Sequence, residues 1–224
     1  MMAGPRISPE GVAAEQRRGT AVARLAHEAG IGHLVYSSIS GADADTGISY
    51  YESKARIEAA IRELGLPATI LRPVSFMDNF ASYNRPVLRD GELVVNLALA
   101  PDRPAAFIAV DDIGAFAAIA FAYRDEFLGR SLTIAGDALT PDQIAETFER
   151  VGGVPTRYHR TPIAQVRAMD EQLATIFSYF DEHPAPPVDL APLRAYHPGL
   201  VRLETWLLTT GWRPPEPVES EKPR

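Results

Sequence analysis

Apolar and polar positions fall in alternating blocks along this chain. An alanine-rich stretch over 9–29 has Pro9 near its start and Gly30 just past its end, and predicts a helix. His33-Leu-Val-Tyr-Ser-Ser38 is a short apolar run stopped by two serines, and predicts a strand. Residues 39–47 read as a loop, and 48–64 as a second helix that Gly65 ends. Further strands are predicted over 67–72, stopped by Pro73, over 105–110, and over 131–135, ended by Gly136. Asp111 or Asp112 should cap a helix through about Tyr123, and Thr140-Pro141 should open one that runs to about Val151. Beyond Val154 the order changes to an amphipathic helix over 163–182, a proline-rich stretch over 184–198 and a last short helix over 200–210. No internal repeat is visible.

Strand and helix in alternation predict an α/β fold, a parallel sheet with flanking helices. The strands are apolar on both faces, as buried parallel strands should be. All four predicted runs, 33–37, 68–72, 105–109 and 131–135, should share one sheet. In such sheets ligands bind beyond the carboxyl ends of the strands. Those ends carry Ser37 and Ser38, then Pro73 to Phe76, then Asp111 and Asp112.

The chain has 224 residues, 46% apolar and 23% charged, which are the proportions of a chain able to bury a full core. The absence of cysteine excludes disulfides, cysteine-ligated zinc, iron–sulfur clusters and thiol nucleophiles. A formal charge of −7 makes nucleic acid and anionic membrane poor partners. No apolar run reaches the roughly 20 residues of a membrane span, and the start MMAGPRISPEG has no apolar signal region. The expectation is a cytoplasmic protein with a disordered tail over 214–224. No His-x-x-x-His or His/Asp cluster suggests a metal.

The lysines are Lys54 and Lys222, and every other basic residue is arginine. Tyr50 and Lys54 are four apart and share one helix face. A phenol, an ammonium and the hydroxyl of Ser38 could therefore converge at one strand terminus. That trio suits proton transfer to or from a carbonyl or alcohol oxygen, with Lys54 lowering the Tyr50 pKa and the serine holding the reacting oxygen. The hydride must come from elsewhere, which implies a nicotinamide cofactor, NADP or NAD. The plainer alternative is an ordinary i,i+4 pair on a solvated face. Tyr51 could replace Tyr50, and Ser40 could replace Ser38.

The segment HLVYSSISGADADTGISYYESKARIEAAIRELGLPATILRPVSFMDNF resembles the NmrA-like branch of the atypical short-chain dehydrogenase/reductase superfamily. FIAVDDIGAFAA, LTIAGDALTPDQIAETFERVGG and PGLVRLETWLLTTGW extend the resemblance over about 12–213. It implies a Rossmann-like fold with a small, mostly helical substrate side. It places Tyr50 and Lys54 on the superfamily's active-site tyrosine and lysine. Tyr36, Ser37, Lys54, Pro73, Val74 and Phe76 would line the cofactor, and Met77, Asn79 and Phe80 would begin the substrate pocket. The implied activity is NAD(P)H-dependent reduction of a carbonyl or quinone-like compound. The alternative is a dinucleotide-sensing regulator that binds a partner protein, since many members carry histidine at the tyrosine position.

The family's opening strand and glycine-rich dinucleotide turn have no counterpart among the 16 glycines. The chain reads as the back part of the fold without its first strands, or as a truncated chain without independent activity. Strand 33–37 should then have one open edge, free or covered by a second copy or another protein. The expected partition is 1–135 as a partial dinucleotide-binding domain with 76–104 as a substrate-side insertion, then 136–213 as the substrate-side region.

Overall fold

The computed structural model describes residues 8–217, so part of the expected tail, 218–224, lies outside the described residues. Helix α1 (Pro9–Glu28) opens on Ser8, whose hydroxyl accepts from the Gly11 N–H, with proline at its first position. Strand β1 (Leu34–Ser37), helix α2 (Ser49–Glu63) and strand β2 (Ala68–Pro73) follow. A two-residue β3 (Ser75–Phe76) leads into a 3-10 turn over Met77–Ala81, and then come β4 (Val87–Arg89), β5 (Glu92–Leu97) and β6 (Ala105–Ile108). After α3 (Val110–Ala122) and the single turn α4 (Arg124–Phe127) come β7 (Ser131–Ile134), β8 (Asp137–Leu139) and α5 (Pro141–Gly152). The remainder is β9 (Thr156–Arg160), α6 (Ile163–Met169), α7 (Glu171–Glu182), α8 (Leu190–Tyr196) and α9 (Leu203–Thr209).

The main sheet is parallel, in the order β1-β2-β7, with Tyr36 opposite Ile70 and Leu71 opposite Leu132. All six residues of β2 are buried, as its central place requires. Among the described residues β1 pairs on one side only, the open edge the sequence leads one to expect.

Three expectations are overturned, and the segment 76–104 gains structure of its own. The run 105–108 is not in the main sheet: β6 pairs parallel with β3 and antiparallel with β8. Pro73 has no N–H to extend the ladder, and the chain changes partner just beyond it. The segment 76–104 carries strands of its own, β4 and β5 pairing as a hairpin and β5 pairing in parallel with β9. The stretch 163–182 is two helices, broken where Asp170 leaves the helical conformation and accepts from the Leu173 N–H. Neither Asp111 nor Asp112 caps α3; the cap residue is Ala109, and Asp78 accepts from the Val110 N–H at 2.9 Å. Asp112 is buried instead and accepts from the Val201 N–H at 3.1 Å, with His197 Nε2 2.9 Å away.

Two larger apolar clusters hold the body. One joins Met77, Phe80, Leu93, Phe107 and Phe148 to Trp206 and Trp212, which pin the last helix as expected. The other packs Leu71, Ile108, Phe116, Phe127 and Ile134. A third, smaller cluster of Ala23, Ile57, Ile61 and Ala68 seats α1 and α2 beside the main sheet.

The α1–α2 contact is unusually close at one point. A Cβ added at Gly19 would lie 2.5 Å from Ile57 Cδ1 and 2.8 Å from Cγ1. A methyl group there forces either Ile57 off its place or the helices apart. Gly19→Ala is therefore expected to lose about 1–3 kcal/mol in urea unfolding despite alanine's better helix propensity. A stabilised Gly19→Ala chain would contradict this packing.

Candidate functional site

The loop between β1 and α2 returns the chain so that the first turns of α2 stand at the carboxyl end of β1. Lys54 projects toward that end, and its ammonium pairs with the carboxylate of Glu15 on α1. The Ser53 hydroxyl lies 3.3 Å from the other Glu15 oxygen. A cleft of about 430 Å³ opens here, lined by Tyr36 and Ser37 of β1, Lys54 and Ile57 of α2, and Glu15 and Arg18 of α1 among others. The Tyr36 hydroxyl is buried and has no hydrogen-bond partner among the described residues. Burial, together with the nearby charges of Glu15 and Glu58, raises the Tyr36 pKa.

Tyr50 is half-buried, one turn before Lys54, and its ring packs edge-to-face on Tyr51 at 5.8 Å. Tyr51 is buried against Phe180 of α7, at 5.5 Å, so of the two tyrosines it has the packing role. The Tyr50 pKa is raised, first by burial and then by Glu15 and Tyr83. The expected lowering by Lys54 is thus reversed. Burial is the larger cause, and Glu15 adds to it by neutralising the ammonium and contributing a negative charge of its own.

Ser38 is in a different environment from Lys54. It is buried, and its hydroxyl donates to Glu58 Oε1 at 2.6 Å. Glu58 is 1% exposed and also accepts from Arg72 Nε at 3.0 Å, Arg72 Nη2 at 2.6 Å and Arg62 Nη2 at 2.7 Å. The other arm of Arg72 reaches Asp43 in the loop after β1. One carboxylate therefore ties together the end of β1, the middle of α2 and, through Arg72, β2 and the following loop. Burial pushes the Glu58 pKa up, but hydrogen bonds from Arg72, Ser38 and Arg62 outweigh it and hold the carboxyl below the usual range. The same ion pair raises the Arg72 pKa.

The remaining expected residues divide by burial. Pro73 closes β2 and is buried, and Val74 packs on the second core cluster. Phe76 is 38% exposed, and Asn79 is half-buried. Met77 and Phe80 are both 0% exposed, Phe80 packing on Phe107 at 5.4 Å and on Phe148 at 5.3 Å. Those two are core residues and do not open to the cleft. Glu15, Glu58 and Arg72 were not singled out from the sequence. A signal existed for two of them: Glu58 falls one turn after Lys54 beside the apolar Ile57 and Ile61, and Arg72 stands near the end of a mostly apolar strand.

Glu58→Gln is expected to cost about 3 kcal/mol at pH 7, because it leaves the Arg72 guanidinium buried opposite a neutral group with only Asp43 remaining. The sign of the pH dependence follows from the depressed pKa. The Glu58 contribution is complete above the ordinary glutamate range, near pH 4.3. It is lost as pH falls through the folded-state value. Urea unfolding of parent and variant from pH 7 to pH 3 should show the two stabilities converging on the acid side. A constant difference across that range would contradict the assignment.

The sequence model of the NmrA-like family matches residues 6–197. The nitrogen metabolite repression protein nmr of Neurospora crassa is 30% identical over 191 residues, covering 76% of this chain and 39% of that protein. The chain spans between 39% and 59% of the length of four curated relatives that it matches. NmrA, a negative transcriptional regulator solved in complex with NADP, superposes with a TM-score of 0.70 at 22% identity, covering 86% of this chain and 68% of the other. The NADPH-dependent quinone oxidoreductase QOR2 of Escherichia coli, in complex with NADPH, gives 0.72 at 18% identity, covering 87% and 71%. The fold is the Rossmann-like α/β fold of these proteins, and the chain belongs to the NmrA-like family.

Proposed function

We propose that the cleft beside β1 is the nicotinamide–ribose part of an NAD(P)-binding site, and that the chain takes part in NAD(P)H-dependent reduction of a carbonyl or quinone-like compound. The observation that carries this is the placement of Lys54 and Tyr36 on one cleft at the carboxyl end of a parallel strand. The donors fit the group: the Lys54 ammonium and the exposed Ser37 hydroxyl suit the diol of a ribose. They do not extend to the pyrophosphate, for which this chain supplies no glycine-rich cradle.

The cofactor would supply the hydride. Lys54 would orient the ribose, and the Tyr50 phenol would deliver the proton to the oxygen that becomes an alcohol. Ser37, exposed beside Lys54, reaches the cleft, whereas the Ser38 proton is committed to Glu58. Phe76 and Asn79 are the candidates for the substrate side, with Met77 and Phe80 as the packing beneath them. The likeness to quinone oxidoreductase QOR2 supports the reductase reading at the level of fold.

A second reading has an observation in its favour. The ammonium that should activate Tyr50 is already paired with Glu15, and the Ser38 hydroxyl is committed to Glu58. Those features suit a dinucleotide sensor, the role of regulator that the Neurospora crassa and NmrA relatives bear in their names. In either case a second copy or another protein would cover the open edge of β1.

Calorimetric titration of the purified chain with NADPH and with NADH tests the site. Binding weaker than micromolar is expected, since the pyrophosphate has no cradle. Lys54→Arg should stay folded and bind about tenfold more weakly, because a guanidinium cannot replace the compact ammonium at this position. Equal affinity in parent and variant would remove Lys54 from the site.

A further inference from the structure

Glu15 occupies the ammonium on which the proposed site depends. We propose that the Glu15–Lys54 ion pair is an autoinhibitory latch: α1 lies along the cleft and its carboxylate holds the group that a ribose diol would otherwise take. This rests on the dinucleotide reading of the same cleft.

Three observations carry it. The α1 wall of the cleft is one helix face, Gly11, Glu15, Arg18, Gly19 and Val22. The Glu15 carboxylate reaches across to α2, where it pairs with the Lys54 ammonium; its other oxygen lies 3.3 Å from the Ser53 hydroxyl, whose shorter contact is the Tyr50 carbonyl at 2.9 Å. The two partners are also unequally exposed, with the Lys54 side chain at 13% and the Glu15 side chain at 36%. A half-exposed carboxylate can turn out into water with little desolvation to recover, whereas the lysine must exchange one partner for another. Glu15 is therefore the moving part.

What the latch leaves behind also points to a ligand. Tyr36 and the exposed Ser37 line the same cleft, so a ligand hydroxyl at Lys54 would meet the Ser37 hydroxyl as well. Arg18 forms no ion pair among the described residues, and it remains as a cation at the cleft wall once Glu15 has swung away. Opening exchanges a carboxylate for a ligand at Lys54, beside the exposed Ser37. A ligand that binds only the open state then has its apparent affinity reduced by the fraction of molecules that are open.

The test uses the full chain and its Glu15→Gln variant, which keeps the shape and removes the charge. NADPH is titrated into each by calorimetry. In parallel, each is treated with a neutral amine-acylating reagent, and the rate at Lys54 is read by peptide mass, with Lys222 as the reference amine. The latch predicts that Glu15→Gln binds NADPH on the order of tenfold more tightly and is acylated at Lys54 correspondingly faster, with Lys222 unchanged. Equal or weaker binding in Glu15→Gln, or an unchanged acylation rate, overturns the latch while leaving the site in place. Failure of both chains to bind NADPH or NADH overturns the dinucleotide reading and the latch together.

Discussion

The buried pair of Glu58 and Arg72 is the interaction on which the rest of the site depends. A carboxylate at 1% exposure is tolerated only because each oxygen is met by donors, two from Arg72, one from Ser38 and one from Arg62. Those donors come from β1, β2 and α2 itself, and Arg72 extends the contact to Asp43 in the loop that leads into α2. The orientation of α2 against the sheet is therefore set by directional bonds in addition to apolar packing. Since Lys54 lies one helical turn before Glu58, that constraint also fixes where the ammonium points.

Around this anchor the site is balanced rather than fixed. The Glu15–Lys54 pair spans α1 and α2, whose closest contact is the unsubstituted backbone of Gly19 against Ile57. The anchor makes α2 the rigid partner, and α1 is the element beside it with exposed apolar residues, Val22 at the cleft wall and Leu25 one turn later. The electrostatics of Tyr36 and Tyr50 follow from that arrangement: both phenols feel burial first and Glu15 next, so both are held protonated.

Much of this arrangement is legible in the amino-acid sequence, and the parts that are not share a physical reason. The strands β1, β2 and β7 stand out because both faces are apolar, and Tyr50 and Lys54 because four-residue spacing puts them on one face. The β4–β5 hairpin carried a readable signal in Asp90-Gly91, both at positive φ in the turn, but its strands are only partly apolar. Strand β9, Thr-Arg-Tyr-His-Arg, is polar and gains its place only by pairing with β5. Glu15 meets Lys54 across 39 positions of chain, a contact that no local pattern encodes. Glu58 and Arg72 were visible as letters of the family's motifs. Their roles were not, because a carboxylate on a helix reads as a solvated face until its burial is known.

The central claim is that Glu58 and Arg72 act as one unit. A double-mutant cycle with Glu58→Gln, Arg72→Met and the combination, measured by urea unfolding at pH 7, tests it most directly. A coupling of about 2 kcal/mol or more is predicted, with the double variant less destabilised than the single changes would give together. Additive losses, with coupling near zero, would contradict the account.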